Sequence, residues 1–136
     1  CRLVDAPRAV VIHPVRPALW GVSLRQQRKS MFNALLYKKH PDLYRELQPA
    51  PPWRYYTILV TLLLGIGSIF LAHPWVAAGA TGLWLAQTMA FAHSRLRDTR
   101  RSLPHIFEML VTSIFIPPVC IFWRLRGAWK YRVLFL

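Results

Sequence analysis

The sequence predicts a mostly α-helical membrane protein built around a two-helix transmembrane hairpin. Residues 55–92 contain no Asp, Glu, Lys or Arg, and His73-Pro74 divides them into two apolar runs of 18 residues each. A helix needs about 20 mainly apolar residues to cross the hydrocarbon core of a bilayer. A buried hairpin of a soluble protein is the alternative, but a chain of 136 residues is too short to enclose two helices that are apolar on every face.

Composition supports this class, because 54% of the residues are hydrophobic while the formal net charge is +13. The basic residues flank the apolar runs and do not form one surface of interleaved basic and aromatic side chains, so no nucleic-acid partner is expected. Anionic lipid headgroups and the preference for Lys and Arg on the cytoplasmic side account for them. The two cysteines, Cys1 and Cys120, are too few and too far apart for a disulfide framework or a metal site.

Residues 1–19 are expected to be the end of a larger α/β domain. The chain starts at Cys1 without an initiator Met or a signal-peptide pattern, which suggests a piece of a longer protein; a lipidated Cys1 is the alternative. Residues 9–12 form a β-branched run that Pro14 and Pro17 stop, as a buried strand is bounded. A lone strand is not stable, so it should complete a sheet that lies upstream. His13 is either a ligand or acid/base group beyond that strand, or a loop histidine.

Residues 20–48 are predicted to form an amphipathic interfacial helix followed by a short helix. Apolar side chains recur at helical spacing, and polar ones fill much of the other face: Trp20, Leu24, Met31, Leu35 and Leu36 against Arg25, Gln26, Gln27, Arg28 and Lys29. The basic face could lie on the membrane, hold a phosphate-bearing ligand, or simply be solvated. Pro41 should end the helix, and residues 49–54 form a proline-rich linker.

The hairpin, residues 55–92, is expected to begin at an aromatic belt and to pack through small residues. The belt is Trp53, Tyr55 and Tyr56, and the small residues are Gly65, Gly67, Ala78, Gly79, Gly82 and Ala86. The face from Ala78 to Gly82 could also join two copies of the chain. Because basic segments flank the hairpin on both sides, both of its ends should be cytoplasmic and His73 should face outward. Residues 93–105 are then a basic cytoplasmic loop.

The third apolar stretch, residues 106–123, has two possible arrangements. If it crosses the membrane, the basic-aromatic tail 124–136 is left on the outer side, against the usual distribution of Lys and Arg. Pro117 and Pro118 in its middle remove two backbone donors and should bend the helix. The sequence therefore favours a kinked helix that dips into the membrane and returns, with a full crossing as the alternative.

Two stretches of the chain resemble the carboxyl-terminal part of a bacterial family 2 glycosyltransferase. They are residues 9–46, AVVIHPVRPALWGVSLRQQRKSMFNALLYKKHPDLYRE, and residues 112–136, TSIFIPPVCIFWRLRGAWKYRVLFL. Such enzymes are anchored in the inner, cytoplasmic membrane and build polysaccharide or glycolipid from nucleotide-sugars. The resemblance implies a Rossmann-like donor domain upstream, whose Asp-x-Asp motif holds Mg²⁺ or Mn²⁺. This chain has no Asp-x-Asp spacing, so we expect neither a catalytic residue nor a bound metal in it, with His13 at most a metal-ligand candidate.

The resemblance also selects candidate binding residues. Processive members carry a Gln-x-x-Arg-Trp motif on an interfacial helix. Residues 26–30, QQRKS, occupy a similar place but lack the Trp and have Lys where Arg belongs, which leaves processivity open. The candidates for contacting the donor phosphates or a lipid-linked or glycan acceptor are His13, Arg16, Trp20, Arg25, Gln26, Arg28 and Lys29. Guanidinium and ammonium groups can neutralise a diphosphate leaving group.

Two functions follow from these observations. The chain is either the membrane-anchoring end of a glycosyltransferase, inactive alone, or a small basic integral membrane subunit that binds anionic lipid or a partner protein. A reading frame that continues upstream of Cys1 into an Asp-x-Asp domain favours the enzyme.

Overall fold

The structure is a computed structural model that describes residues 19–48, 50–97, 99 and 102–135. As the sequence predicts, the described part is mostly helical: helices make up 84% of it, and it contains no strand. The strand predicted at residues 9–12 and the candidates His13 and Arg16 lie outside the described residues. The structure therefore gives no support to the expected end of an α/β domain.

Within the described residues, six α-helices and one 3₁₀ helix follow one another. They are α1 (Val22–Gln26), the 3₁₀ helix (Gln27–Met31), α2 (Phe32–Lys39), α3 (Pro41–Leu47), α4 (Trp53–Phe70), α5 (Pro74–Leu96) and α6 (Leu103–Tyr131). We call α1, the 3₁₀ helix and α2, residues 22–39, the basic segment. It stops at Lys39, because the residue before Pro41 is driven out of the α region and His40 has a ψ of 71°.

The predicted helical hairpin is present as α4 and α5, joined by a tight turn. At the end of α4 the His73 N–H donates to the Ser68 carbonyl at 2.9 Å and the Ala72 N–H donates to the Ile69 carbonyl at 3.2 Å. These two bonds form a Schellman motif, with Ala72 in the left-handed conformation at φ 54°. Pro74 then begins α5, where its missing N–H costs no hydrogen bond.

Only part of the predicted small-residue packing is present in the hairpin. Gly65 does face α5, since a Cβ built on it would lie 3.2 Å from Thr81 Oγ1. A Cβ on Gly67, Gly79 or Gly82 would meet no other atom within 4 Å, so the prediction that these glycines pack the hairpin is wrong. Ala78 and Ala86, also predicted there, are exposed. The face of α5 that is buried carries Ala77, Ala80, Thr88, Phe91 and Ala92 instead.

The third apolar stretch is one continuous helix, α6, of 29 residues. The prediction that it dips and returns is wrong: Pro117 and Pro118 lie inside the helix, and the chain does not turn back there. Proline fixes φ near −65°, which a helix accepts at the loss of one hydrogen bond per proline. Packing offsets that loss, because Pro117 and its neighbours Ile116 and Ile121 are buried.

Two of the described helices, α4 and α6, are long and apolar enough to cross a membrane. Within the fold, 22% of the most apolar window of α4 is buried, and 33% of that of α6. A core helix of a soluble protein would be mostly buried. The apolar surfaces of α4 and α6 are therefore not covered by the described part of the chain. The 23 residues of α5 are less apolar than α4, since Thr81, Gln87 and Thr88 interrupt them.

Candidate functional site

The basic segment lies alongside α6 from end to end, in parallel. At one end the Gly21 N–H donates to Glu108 Oε1 at 2.7 Å. In the middle Ser30 Oγ lies 3.4 Å from Cys120 Sγ. At the other end Lys38 Nζ donates to the Tyr131 carbonyl at 2.9 Å. Residue numbers therefore rise together along both elements, and every part of the basic segment has α6 as its neighbour.

The face of α6 that meets the basic segment carries small and polar residues at helical spacing. Cys120 and Gly127 are buried there, against Ser30 and Met31. Gly127 sets how close the two elements come, because a Cβ built on it would lie 3.0 Å from both the Cα and the carbonyl carbon of Met31, and nearer still to its oxygen. Only glycine allows backbones to approach this closely.

This packing brings Arg28 against an indole ring from the other end of the chain. The guanidinium carbon of Arg28 lies 5.7 Å from the Trp123 ring centroid, and that of Arg126 lies 5.2 Å from the same centroid. Both distances are within the range of cation–π attraction. Both arginines are exposed, so a ligand can reach their N–H groups. We call these three residues the Arg-Trp-Arg site.

The other candidates on the basic segment are exposed beside this site. Arg25, Gln26 and Lys29 are exposed, and Trp20 is 57% exposed just before α1. Gln27 instead turns inward and its Nε2 donates to the Ser23 carbonyl at 3.0 Å. Of the described candidates, the structure brings Arg28 into the Arg-Trp-Arg site and leaves Arg25, Gln26, Lys29 and Trp20 exposed outside it.

A buried arginine on α6, Arg124, could not be predicted from the sequence pattern. Arg124 is 2% exposed, its guanidinium carbon lies 4.6 Å from the Phe135 ring centroid, and its Nη2 is 3.4 Å from Tyr44 Oη. The ion pair found among the described residues, between Arg45 and Asp42, does not include it. Arg124 follows Cys120 by four residues, so it lies on the same buried face of α6. Arginine is rarely buried, so a sequence alone would place this side chain in solvent.

The rings around Arg124 line an aromatic cleft of about 260 Å³. Its walls are Tyr37, Tyr44, Arg45, Gln48, Pro51, Leu134 and Phe135. Tyr37 and Tyr44 meet edge to face with centroids 5.5 Å apart, and Tyr44 meets Phe135 at 5.9 Å. These edge-to-face contacts fix the last residues of the tail onto α2 and α3.

A second arginine, Arg95, joins α5 to α6 and to the basic segment. Its Nη1 donates to Thr112 Oγ1 at 2.8 Å and to Ser113 Oγ at 2.9 Å. Its Nη2 donates to Ser23 Oγ at 3.2 Å. The two hydroxyls on α6 already donate to carbonyls of their own helix, so their oxygens are free to accept from the guanidinium. Arg95 therefore connects three elements at one end of the hairpin.

Comparisons with known proteins give no relative. No protein-family model matches the chain, no curated protein matches its sequence, and no solved structure matches its fold. Among the residues that the structure describes, no group of three or more His, Cys, Asp and Glu could hold a metal ion. The chemistry of the Arg-Trp-Arg site and the apolar surface of α4 are therefore the features that bear on function.

Proposed function

We propose that the chain is the membrane-anchoring, acceptor-side end of a glycosyltransferase. The enzyme would transfer a sugar from a nucleotide-sugar to a lipid-linked or cell-surface glycan acceptor. The observation that carries this proposal is the Arg-Trp-Arg site. Two exposed guanidinium groups lie against one indole ring of α6, and α6 packs on the hairpin, where the apolar surface of α4 is mostly uncovered.

Guanidinium groups suit the phosphates that both substrates of such a reaction carry. Their fork of N–H donors binds phosphate oxygens in pairs, and two of them at one place can neutralise a diphosphate. Trp123 between them has an apolar body and a polar N–H edge, which suits the boundary between lipid and water. The resemblance to family 2 glycosyltransferases implies that an acidic residue acting as the base and the divalent cation belong to an upstream domain. Arg28 and Arg126 would bind and orient phosphates.

The membrane part of the proposal concerns α4 and α5, which would cross the bilayer as a hairpin. Val60, Leu63 and Ile69 on α4 are each more than half exposed, which lipid would cover. Arg54 lies in the first turn of α4, Arg95 lies in the last turn of α5 and Arg97 follows it, whereas the turn at His73 carries no Lys or Arg. The positive-inside rule then places both ends of the hairpin in the cytoplasm of a bacterium and the turn on the outer side.

Replacing Leu63 by Arg is expected to reduce the amount of protein recovered in membranes. The side chain is in the middle of α4 and exposed, so the new charge would face the bilayer centre, at a cost of about 2.5 kcal/mol or more on insertion scales. The matched control is Leu47→Arg, since Leu47 is similarly exposed on α3 outside the hairpin. Equal membrane yields of the two variants would exclude α4 from the bilayer.

The transfer reaction is tested on the longest reading frame that contains this chain. Membranes that hold the protein are supplied with a panel of radiolabelled nucleotide-sugars, with and without a divalent cation, and the product is separated from the donor. We expect cation-dependent transfer from one donor. If the frame has no Asp-x-Asp domain and no donor is used, the enzyme is excluded and the small basic membrane subunit takes its place.

Arg28→Ala is expected to lower transfer by about 10-fold or more while the protein stays in the membrane fraction. One hydrogen bond to a charged group contributes about 1.5–3 kcal/mol, which corresponds to that loss. The control is Lys39→Ala, which removes an exposed cation of the same segment at the far end of α2. Arg28→Lys, which keeps the charge but loses the paired donors, should fall between them. Unchanged transfer in Arg28→Ala would remove this residue from the site.

A further inference from the structure

The composition of α6 and its contacts lead to opposite conclusions about where it lies. Its 29 residues are long and apolar enough to cross a bilayer. From Glu108 to Tyr131, however, its neighbour is the basic segment. If α6 crossed, Arg25, Arg28 and Lys29, all exposed, would be carried into the hydrocarbon with it. Exposed cations at that depth are strongly disfavoured, and here they have no carboxylate within the described residues to pair with.

Both halves of α6 also lie at the same end of the hairpin. The first half is held there by Arg95, through Thr112 and Ser113. The second half packs on α2, where Lys38 binds the Tyr131 carbonyl. The few residues between α3 and α4 keep α2 and α3 close to the start of α4, the end that carries Arg54. A spanning helix would have its two ends on opposite sides of the membrane, and α6 has neither half near the His73 turn.

The exposed face of α6 is apolar over most of its length. The exposed stripe consists of Phe107, Ile114, Phe115, Phe122, Leu125 and Trp129. The opposite, buried face mixes polar side chains such as Thr112 and Arg124 with the apolar Ile116 and Ile121. A helix on the surface of a soluble protein exposes polar side chains to water, whereas the exposed side of α6 is apolar. The stripe is therefore built for contact with an apolar medium.

We infer that α6 lies along the membrane surface, with the stripe in the boundary between headgroups and acyl chains of an anionic bilayer. The basic segment beside it then places Arg25, Arg28 and Lys29 among the phosphates of the lipid headgroups. Lipid is the occupant that fits, because the stripe adjoins the uncovered apolar hairpin and is flanked by cations. This inference rests on the hairpin crossing the membrane, as proposed above, and is independent of sugar transfer.

The test is a depth profile measured by spin labels in reconstituted vesicles. The full chain, with Cys1 and Cys120 replaced by Ser, receives single cysteines in place of Phe107, Phe115, Phe122 and Trp129. Each nitroxide is assayed in vesicles of phosphatidylethanolamine and phosphatidylglycerol for collision with oxygen, which concentrates in the bilayer, and with a water-soluble nickel chelate. The ratio of the two collision rates gives the depth of the label.

The two arrangements give different profiles. From Phe107 to Trp129 the helix runs roughly 33 Å at 1.5 Å per residue, about the thickness of the hydrocarbon core. A helix along the surface gives four similar, shallow depths. A spanning helix gives two deep labels between two shallow ones, and that result would overturn the inference. Four labels shielded from both reagents would overturn it as well, because a protein partner would then cover the stripe.

Labels at Val60, Leu63 and Ile69 serve as the control for the hairpin. These α4 positions should differ in depth by roughly 13 Å along the helix. If they are all shallow, the hairpin does not cross the membrane, and the inference about α6 fails with it. A deep α4 profile with a spanning α6 profile would leave the hairpin standing and reject only the inference about α6. The two failures are therefore distinguishable.

Discussion

Gly127→Val is expected to separate the basic segment from α6 and to be among the most destabilising changes in the described chain. A Cβ at this position would lie 3.0 Å from two backbone atoms of Met31 and closer to a third. Backbone on both sides cannot yield as a flexible side chain does, so the helix or the 3₁₀ turn must move. We expect a loss of about 3 kcal/mol or more. Thermal unfolding in detergent and tryptic cleavage at Arg25 and Arg28 measure the loss of stability and the exposure of the basic segment.

The matched control for this prediction is Gly82→Val. Gly82 is also inside a helix, but a Cβ there would meet nothing within 4 Å. Valine has a higher helix propensity than glycine, so this variant should unfold at the same temperature as the parent or slightly higher. If both variants unfold at the same temperature, the close approach of Gly127 to Met31 is not part of the folded protein.

The hairpin could be predicted from the sequence because its signal is local. A run without charged residues from Tyr55 to Ala92, divided by His73-Pro74, leaves few alternatives for the backbone. Which glycines lie between the two helices could not be predicted in the same way. Small residues occur on several faces of α5, and only the rotation of α5 against α4 decides that Ala77 and Ala80 are buried while Gly79 and Gly82 are not.

The third apolar stretch shows how context overrides a local rule. Pro117 and Pro118 predict a break when α6 is considered alone. In the fold that part of α6 is packed between the basic segment and the hairpin, where Ile116 shares a core with Ile58 and Phe91. A helix held on two sides stays continuous despite two missing hydrogen bonds. The regular spacing of Thr112, Ile116, Cys120 and Arg124 indicates a packed face, but a spacing does not identify the partner.

The candidate site could be predicted from the sequence only in part. The resemblance selected Arg28, and the lack of a following Trp in the residues after it left the motif incomplete. The structure supplies an indole from α6, Trp123, which no pattern in the neighbourhood of Arg28 could reveal. Arg124 was missed because the sequence places it in a basic tail, where an arginine normally faces solvent. Its burial depends on the tail folding back so that Phe135 covers it.

Arg95→Gln is expected to loosen α5 from α6 and from the basic segment at once. Thr112 and Ser113 are fully buried, and the guanidinium is the donor to both of their oxygens. A glutamine amide is shorter and cannot reach these two hydroxyls and Ser23 together. Hydrogen bonds to a charged group contribute about 1.5–3 kcal/mol each and are not additive, so we expect a loss on the order of 3 kcal/mol. That corresponds to unfolding at a temperature roughly 10 °C lower.

Arg97→Gln provides the control, since Arg97 is exposed two residues further along and the same charge is lost. Arg97→Gln should unfold at the same temperature as the parent. The effect of Arg95→Gln would then come from its contacts and not from the change in net charge. A double-mutant cycle with Thr112→Ala tests the contact itself. If Arg95 donates to Thr112 as described, the double variant loses less stability than the sum of the two single variants. Additive losses would mean that the two side chains do not interact, and that another feature holds α6 at the end of the hairpin that carries Arg95.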